Sequence, residues 1–186
     1  MWARRTFHEC AEELDAISSD FRTAYTNRLG WDGPTCERVM FETSTRGLEV
    51  LRILALAIRS EQDYGLTNSD LAAVGALRAN ITRDEASLAI KRYRPPYNEL
   101  NGYTPLALRQ ALNKIAHADP TRCGFFADEN THDLILTGID RGDTWIAVIS
   151  LIDLSRVIKS LPNTTNTTVN SFGYTDVIES ELKPLL

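Results

Sequence analysis

The chain has 186 residues, 43% of them hydrophobic and 24% charged, and its formal net charge is −5. That length can bury a full core without metals or disulfides, and that composition excludes wholesale disorder. No window approaches the roughly 20 apolar residues of a membrane-spanning helix, and an acidic chain that binds nucleic acid must do so through a local basic patch.

An apolar stripe through Trp2, Phe7, Cys10, Leu14, Ile17, Phe21 and Tyr25 predicts a first amphipathic helix that stops near Gly30. Met1 to Glu9 is charged and amphipathic from the outset, so no secretory signal is expected and the chain reads as cytoplasmic, with no membrane partner. Trp31-Asp32-Gly33-Pro34 is a turn cluster. A second helix runs from about Thr45 to Ser60, apolar on more than half its circumference, which marks a central helix of a bundle. Thr67 to Asp70 offers N-cap residues for a helix through Leu71, Val74 and Leu77. Thr82-Arg83-Asp84-Glu85 fits a capping box that opens another helix, and Pro95-Pro96 stops it. Thr104-Pro105 opens the next, which carries Leu106, Leu108, Ala111, Leu112 and Ile115 and ends near Asp119-Pro120.

The period then changes. Asp133 to Ile139 and Thr144 to Ser150 are short, apolar and rich in β-branched residues, and Asp140 to Asp143 between them is a turn. This predicts a β-hairpin. Leu151 to Leu161 returns to helical spacing, and Asn163 to Ser171 is polar and low in complexity. The expected fold is mainly α: a helical bundle with one β-hairpin inserted before the last helices. One domain is expected over 1–161, including hairpin 133–150. A flexible linker or loop follows over 162–174, and a short C-terminal helix over 175–186.

Cys10, Cys36 and Cys123 lie far apart and form no CxxC, so they read as free thiols of a reducing compartment rather than a disulfide framework or zinc site. His8 and His132 lack a second ligand at metal spacing and read as surface or cap residues. His117 ends the helix that Thr104 opens, and Arg109, Asn113 and His117 follow at i, i+4 steps on a polar stripe with Lys114 beside it. An imidazole there can pass a proton near neutral pH, and a cation and an amide can steady a phosphate. A histidine in the last helical turn can also simply stabilise the helix dipole, by about 0.3–1 kcal/mol when protonated. Just upstream, Lys91-Arg92-Tyr93-Arg94-Pro95-Pro96-Tyr97 packs three cations and two tyrosines into seven residues. Cations suit phosphates and tyrosines stack on unpaired bases, although a basic last turn followed by prolines is also ordinary helix-end chemistry.

The run Leu108-Arg-Gln-Ala-Leu-Asn-Lys-Ile-Ala-His117-Ala-Asp resembles the active helix of HEPN domains (higher eukaryotes and prokaryotes nucleotide-binding). These are helical bundles, often dimeric, found in toxin–antitoxin and phage-defence systems. Many are metal-independent ribonucleases with an Arg-x4–6-His motif. Asn113 and His117 keep the Asn-x3-His spacing; Leu112 stands where the arginine would be, and Arg109 precedes His117 by seven intervening residues, outside the family spacing.

The resemblance implies an RNA-binding protein and a metal-independent endoribonuclease with no cofactor. It also implies a homodimer whose partners are RNA and an antitoxin or other protein. In that reading His117 is the general acid or base, Arg109 or Lys114 stabilises the phosphorane and Asn113 orients it. Lys91, Arg92 and Arg94 hold the RNA backbone, with Tyr93 and Tyr97 beside them. The rival class is a non-catalytic interaction module, which uses the same bundle for dimerisation or partner binding. A small-molecule-binding helical domain is a third class, for which no motif speaks.

Overall fold

The computed structural model describes residues 6–30, 32–63, 73–161, 167–169 and 175–177. Helix α1 spans Phe7–Asn27. The Thr6 hydroxyl accepts the Glu9 N–H while the Glu9 carboxylate accepts the Thr6 N–H, so two orphan donors at the helix start are satisfied reciprocally. Helix α2 spans Gly33–Asp63. It absorbs the expected turn at Gly33-Pro34 into its first turn, where a proline has no N–H to lose.

The chain then departs from an all-helical plan. Strand β1 is Ala73–Ile81, where a helix through Val74 and Leu77 is expected from spacing. Helix α3 (Arg83–Arg92) follows, with the Thr82–Glu85 capping box formed as its sequence predicts. A 3-10 turn at Tyr97–Glu99 leads to strand β2 (Thr104–Ala107) and helix α4 (Leu108–Ala116). Strands β3 (Gly124–Ala127), β4 (His132–Asp140) and β5 (Asp143–Ser150) come next, then helix α5 (Leu151–Ser160).

Strands β1 to β5 form one sheet in the order β2-β1-β5-β4-β3, antiparallel throughout. The fold is therefore mixed α and β, and the expectation of a mainly α bundle with a lone hairpin is corrected. The hairpin read from the sequence is β4–β5, but it is the centre of a sheet. Its two-residue turn has positive φ at both Arg141 and Gly142, the conformation that matches strand twist.

β1 escapes local reading because both its pairings, with β2 and β5, join distant segments, whereas β3 pairs with β4 across the short connection 128–131. β1 lies between β2 and β5, so its backbone over Gly75–Leu77 is paired on both sides, which overrides the helical preference of its alanines. Gly75 fits this role: a Cβ there would lie 2.1 Å from the Val148 carbonyl oxygen on β5. Thr104-Pro105, which reads as a helix start, instead pairs with Leu77 and Ala76 of β1. β2 is an edge strand, where a proline is tolerated.

Both faces of the sheet are covered. Trp145, Ala147 and Ile149 join the core built with α1, α2, α4 and α5; Ile146 and Val148 join a smaller core with Ala86 of α3 and Tyr93. A strand buried on both faces has no polar face, which is why Trp145 to Ile149 reads as an unbroken apolar run.

Beyond α5, Thr167–Val169 (β6) pairs with Thr175–Val177 (β7). Of the expected linker 162–174, the described residues are 167–169, which form β6. The expected helix over 175–186 begins in β7, and its remainder lies outside the described residues.

Candidate functional site

Helix α4 buries Leu108, Ala111 and Leu112 against the larger core, which fixes its rotation. Gln110, Asn113, Lys114 and His117 are thereby left lining a depression of about 550 Å³ between α4 and the end of the β4–β5 hairpin. Asp140 lines it from the hairpin side. A shallower hollow of about 180 Å³ shares Lys114 and Asp140 and continues past Arg141 and Asp143.

Close packing holds the two walls together. Gly138 lets β4 pass under the Trp145 indole, since a Cβ there would sit 2.3 Å from the ring and 2.9 Å from the His117 carbonyl oxygen. The Lys114 ammonium lies 4.4 Å from the Trp145 ring centroid, within range of a cation–π attraction. His117 caps α4, with its N–H donating to the Asn113 carbonyl at 3.1 Å. The Asp119 N–H then donates to the Thr137 carbonyl at 2.8 Å and ties this corner to β4. The His117 side chain is exposed and, among the described residues, its ring has no hydrogen-bond partner.

Three of the four expected catalytic residues, Asn113, Lys114 and His117, thus share one surface. The fourth, Arg109, is half-buried in the first turn of α4, outside the lining of the depression. Gln110, Asp140 and Trp145 join the site without a sequence signal of function, because only the packing of the hairpin end against α4 brings them there.

The basic segment stands elsewhere. Lys91, Arg92 and Arg94 are exposed at the end of α3, whereas α4 belongs to the core on the opposite face of the sheet. The two tyrosines are committed internally. Tyr93 is 6% exposed, and its hydroxyl donates to Asp133 Oδ2 at 2.5 Å. Tyr97 is half-buried and donates to Asp153 Oδ2 at 2.9 Å. Burial, reinforced by Asp133, pushes the Tyr93 phenol far up; burial and then Asp153 push Tyr97 up to about 12. Stacking on a base needs an exposed ring face, so Tyr93 is a structural residue.

Buried Asp133 completes that polar cluster. Burial raises its carboxyl, while the Tyr93 and Ser150 hydrogen bonds hold it down. Next to it, His132 is a core residue rather than the surface or cap residue expected. It is 5% exposed, its Nδ1 lies 2.9 Å from Ser18 Oγ, and its ring stacks on Phe21 at 4.7 Å. Burial lowers its pKa to about 4. His8 Nε2 lies 2.8 Å from the Lys159 carbonyl oxygen, a link between α1 and α5.

Among the described residues no helix is long and apolar enough to cross a membrane. None of their His, Cys, Asp and Glu side chains cluster in a way that could hold a metal ion. No family model matches the chain, and no similar curated protein or solved structure is found.

Proposed function

We propose that this chain is an RNA-binding protein, and that the depression between α4 and the hairpin end receives a phosphodiester and cleaves it without a metal. The observation that carries the reading is the convergence of an exposed imidazole, His117, with the Asn113 amide and the Lys114 ammonium on one open polar surface. RNA brings its own nucleophile. The 2′-oxygen loses its proton and bonds to the adjacent phosphorus, the bond to the 5′-oxygen breaks, and that oxygen gains a proton. The products are a 2′,3′-cyclic phosphate and a 5′-hydroxyl.

His117 takes or supplies a proton, Lys114 offsets the charge of the phosphorane, and Asn113 orients the phosphate. Asp140 is the remaining titratable group of the lining and stands as the second proton carrier. Arg141 extends the cationic surface over the hairpin turn. Lys91, Arg92 and Arg94 then serve as a separate basic point that a longer strand reaches only around the sheet edge.

The test is cleavage of a mixed-sequence RNA in chelator, with wild type and His117→Ala in parallel. Wild type is expected to leave cyclic-phosphate ends, and the variant to lose at least about 10²-fold in rate. Cleavage that survives the substitution would assign the activity to another site or to a contaminant. A folded wild type that neither binds nor cleaves RNA would sink the reading.

One observation favours the non-catalytic alternative. Phe41, Leu48 and Leu56, spaced at two-turn steps along α2, are 75%, 49% and 51% exposed. Exposed apolar side chains along one side of a helix, with Ser44, Thr45 and Arg52 between them, suit a protein partner or a second copy. Light scattering of wild type and Phe41→Asp over a range of concentrations distinguishes self-association from a monomer.

A further inference from the structure

The larger core is not fully closed. Between α1, α2, the end of α4 and strands β3–β4 lies an apolar cavity of about 250 Å³, with Leu14, Phe21, Leu48, Leu134 and Phe125 in its lining. It is separate from the α4–hairpin depression, with which it shares no lining residue. Aliphatic and aromatic walls that converge from several elements make the form of pocket that small molecules occupy.

The polar groups of the lining define its chemistry. No aspartate or glutamate lines the cavity, and Arg52 is its one arginine or lysine. Arg52 is exposed on α2 and, among the described residues, has no ion-pair partner. His132 lines the cavity with Nδ1 taken up by Ser18, which leaves Nε2 as the ring's remaining polar atom. Burial keeps that ring neutral at physiological pH, and partial desolvation favours the uncharged thiol of Cys123, which is exposed. A single positive charge at the margin of an otherwise uncharged apolar space is complementary to one ligand pattern: an apolar body with one anionic end.

We propose that this cavity binds a small monocarboxylate with a single apolar tail or ring, the tail inside and the carboxylate on the Arg52 guanidinium. Size follows from the volume. An apolar cavity of about 150 Å³ holds benzene, so 250 Å³ takes roughly ten carbon-sized atoms. A carboxylate at the exposed Arg52 keeps part of its hydration and gains a bidentate partner. Deeper in the cavity it would lose its water with only a neutral imidazole in exchange.

The test is calorimetric titration of the full chain with octanoate, octanol and octylammonium. Octanoate is expected to bind best, by about tenfold or more over octanol. Arg52→Gln, at an exposed position, is expected to erase that preference while leaving octanol binding intact. Ala118→Phe, which fills the cavity from its half-buried margin, is expected to abolish binding of both. Thermal unfolding of each variant confirms that it is folded. Equal affinity for the three ligands, octanoate binding that survives Ala118→Phe in a folded variant, or no binding at millimolar concentrations would overturn the proposal. The last result would leave the cavity to the side chain of a protein partner.

Discussion

Two histidines on either side of β3 occupy opposite surroundings. His117 ends α4 with its ring exposed on a polar depression, while His132 opens β4 with its ring stacked on Phe21 and bonded to Ser18. In sequence His132 reads as a surface or cap residue and His117 as the end of a polar helical stripe, and neither reading foresees a buried ring at His132. What separates them is the packing behind them. α1 closes over His132, whereas the hairpin end leaves His117 beside open space. A histidine's chemistry is set by what packs on it, and substitutions at the two positions are expected to act on different quantities.

The largest contrast is expected from alanine at each position. His117→Ala is expected to remove at least about 10²-fold of RNA cleavage while leaving the urea midpoint unchanged, since the ring touches nothing that the fold needs. His132→Ala is expected to destabilise the protein by about 2–4 kcal/mol through the lost ring packing and the unsatisfied Ser18 hydroxyl. Urea titration of both variants checks this. A large stability loss in His117→Ala would make that residue structural as well.

The pH dependence of folding extends the contrast. His132 has a pKa of about 4 in the fold against 6.5 as its ordinary value. Above pH 6.5 both folded and unfolded states hold it neutral, and its contribution is fully present. As pH falls from 6.5 to about 4, the unfolded chain takes up the proton first, and about 3 kcal/mol of stability is lost. Asp133 acts in the opposite sense, because its raised carboxyl takes up a proton in the fold before the unfolded chain does. His132→Gln is therefore expected to flatten the decline between pH 6.5 and 4, whatever its effect on stability at pH 7. A slope unchanged by that substitution would show that His132 is not the titrating group.

A smaller effect is expected from Tyr93→Phe. The phenol donates to a carboxylate that is 1% exposed, so its loss is expected to cost about 1–3 kcal/mol at pH 7. That bond holds the Asp133 carboxyl down, so the cost is expected to shrink in acid, where Asp133 is protonated. Urea titrations at pH 7 and pH 4 provide the comparison, and an equal cost at both would mean that the carboxylate is not the partner that matters.

These contacts mark where sequence reading reaches its limit. α1, α5, the Thr82–Glu85 capping box and the β4–β5 turn rest on residues within a few positions of one another, and all four are legible. The Ser18–His132 and Tyr93–Asp133 bonds join distant segments, as do the pairings of β1 with β2 and β5. None leaves a local periodicity. At the site, the α4 stripe is legible because Asn113 and His117 share one helix. Asp140 and Trp145 are not, because they arrive with the hairpin. Arg109 misleads for the same reason in reverse: spacing on a helix does not say which neighbour closes which side.

The smallest effect concerns Lys114, which belongs to both kinds of region. Its ammonium sits 4.4 Å from the centroid of the buried Trp145 ring and also lines the depression. Lys114→Met keeps the apolar stem and removes the charge. Loss of the cation–π attraction is expected to cost no more than about 1 kcal/mol in stability. If the depression also receives a phosphate, the salt dependence of RNA binding is expected to become shallower by about one unit of slope. Fluorescence anisotropy across a salt series reads that change, and urea titration reads the other. A stability loss with an unaltered slope would confine Lys114 to holding the indole. An altered slope with unchanged stability would place the charge on RNA rather than on Trp145, and the hairpin end would then be held to α4 by the core that Trp145 shares with Leu108, Ala111 and Leu112.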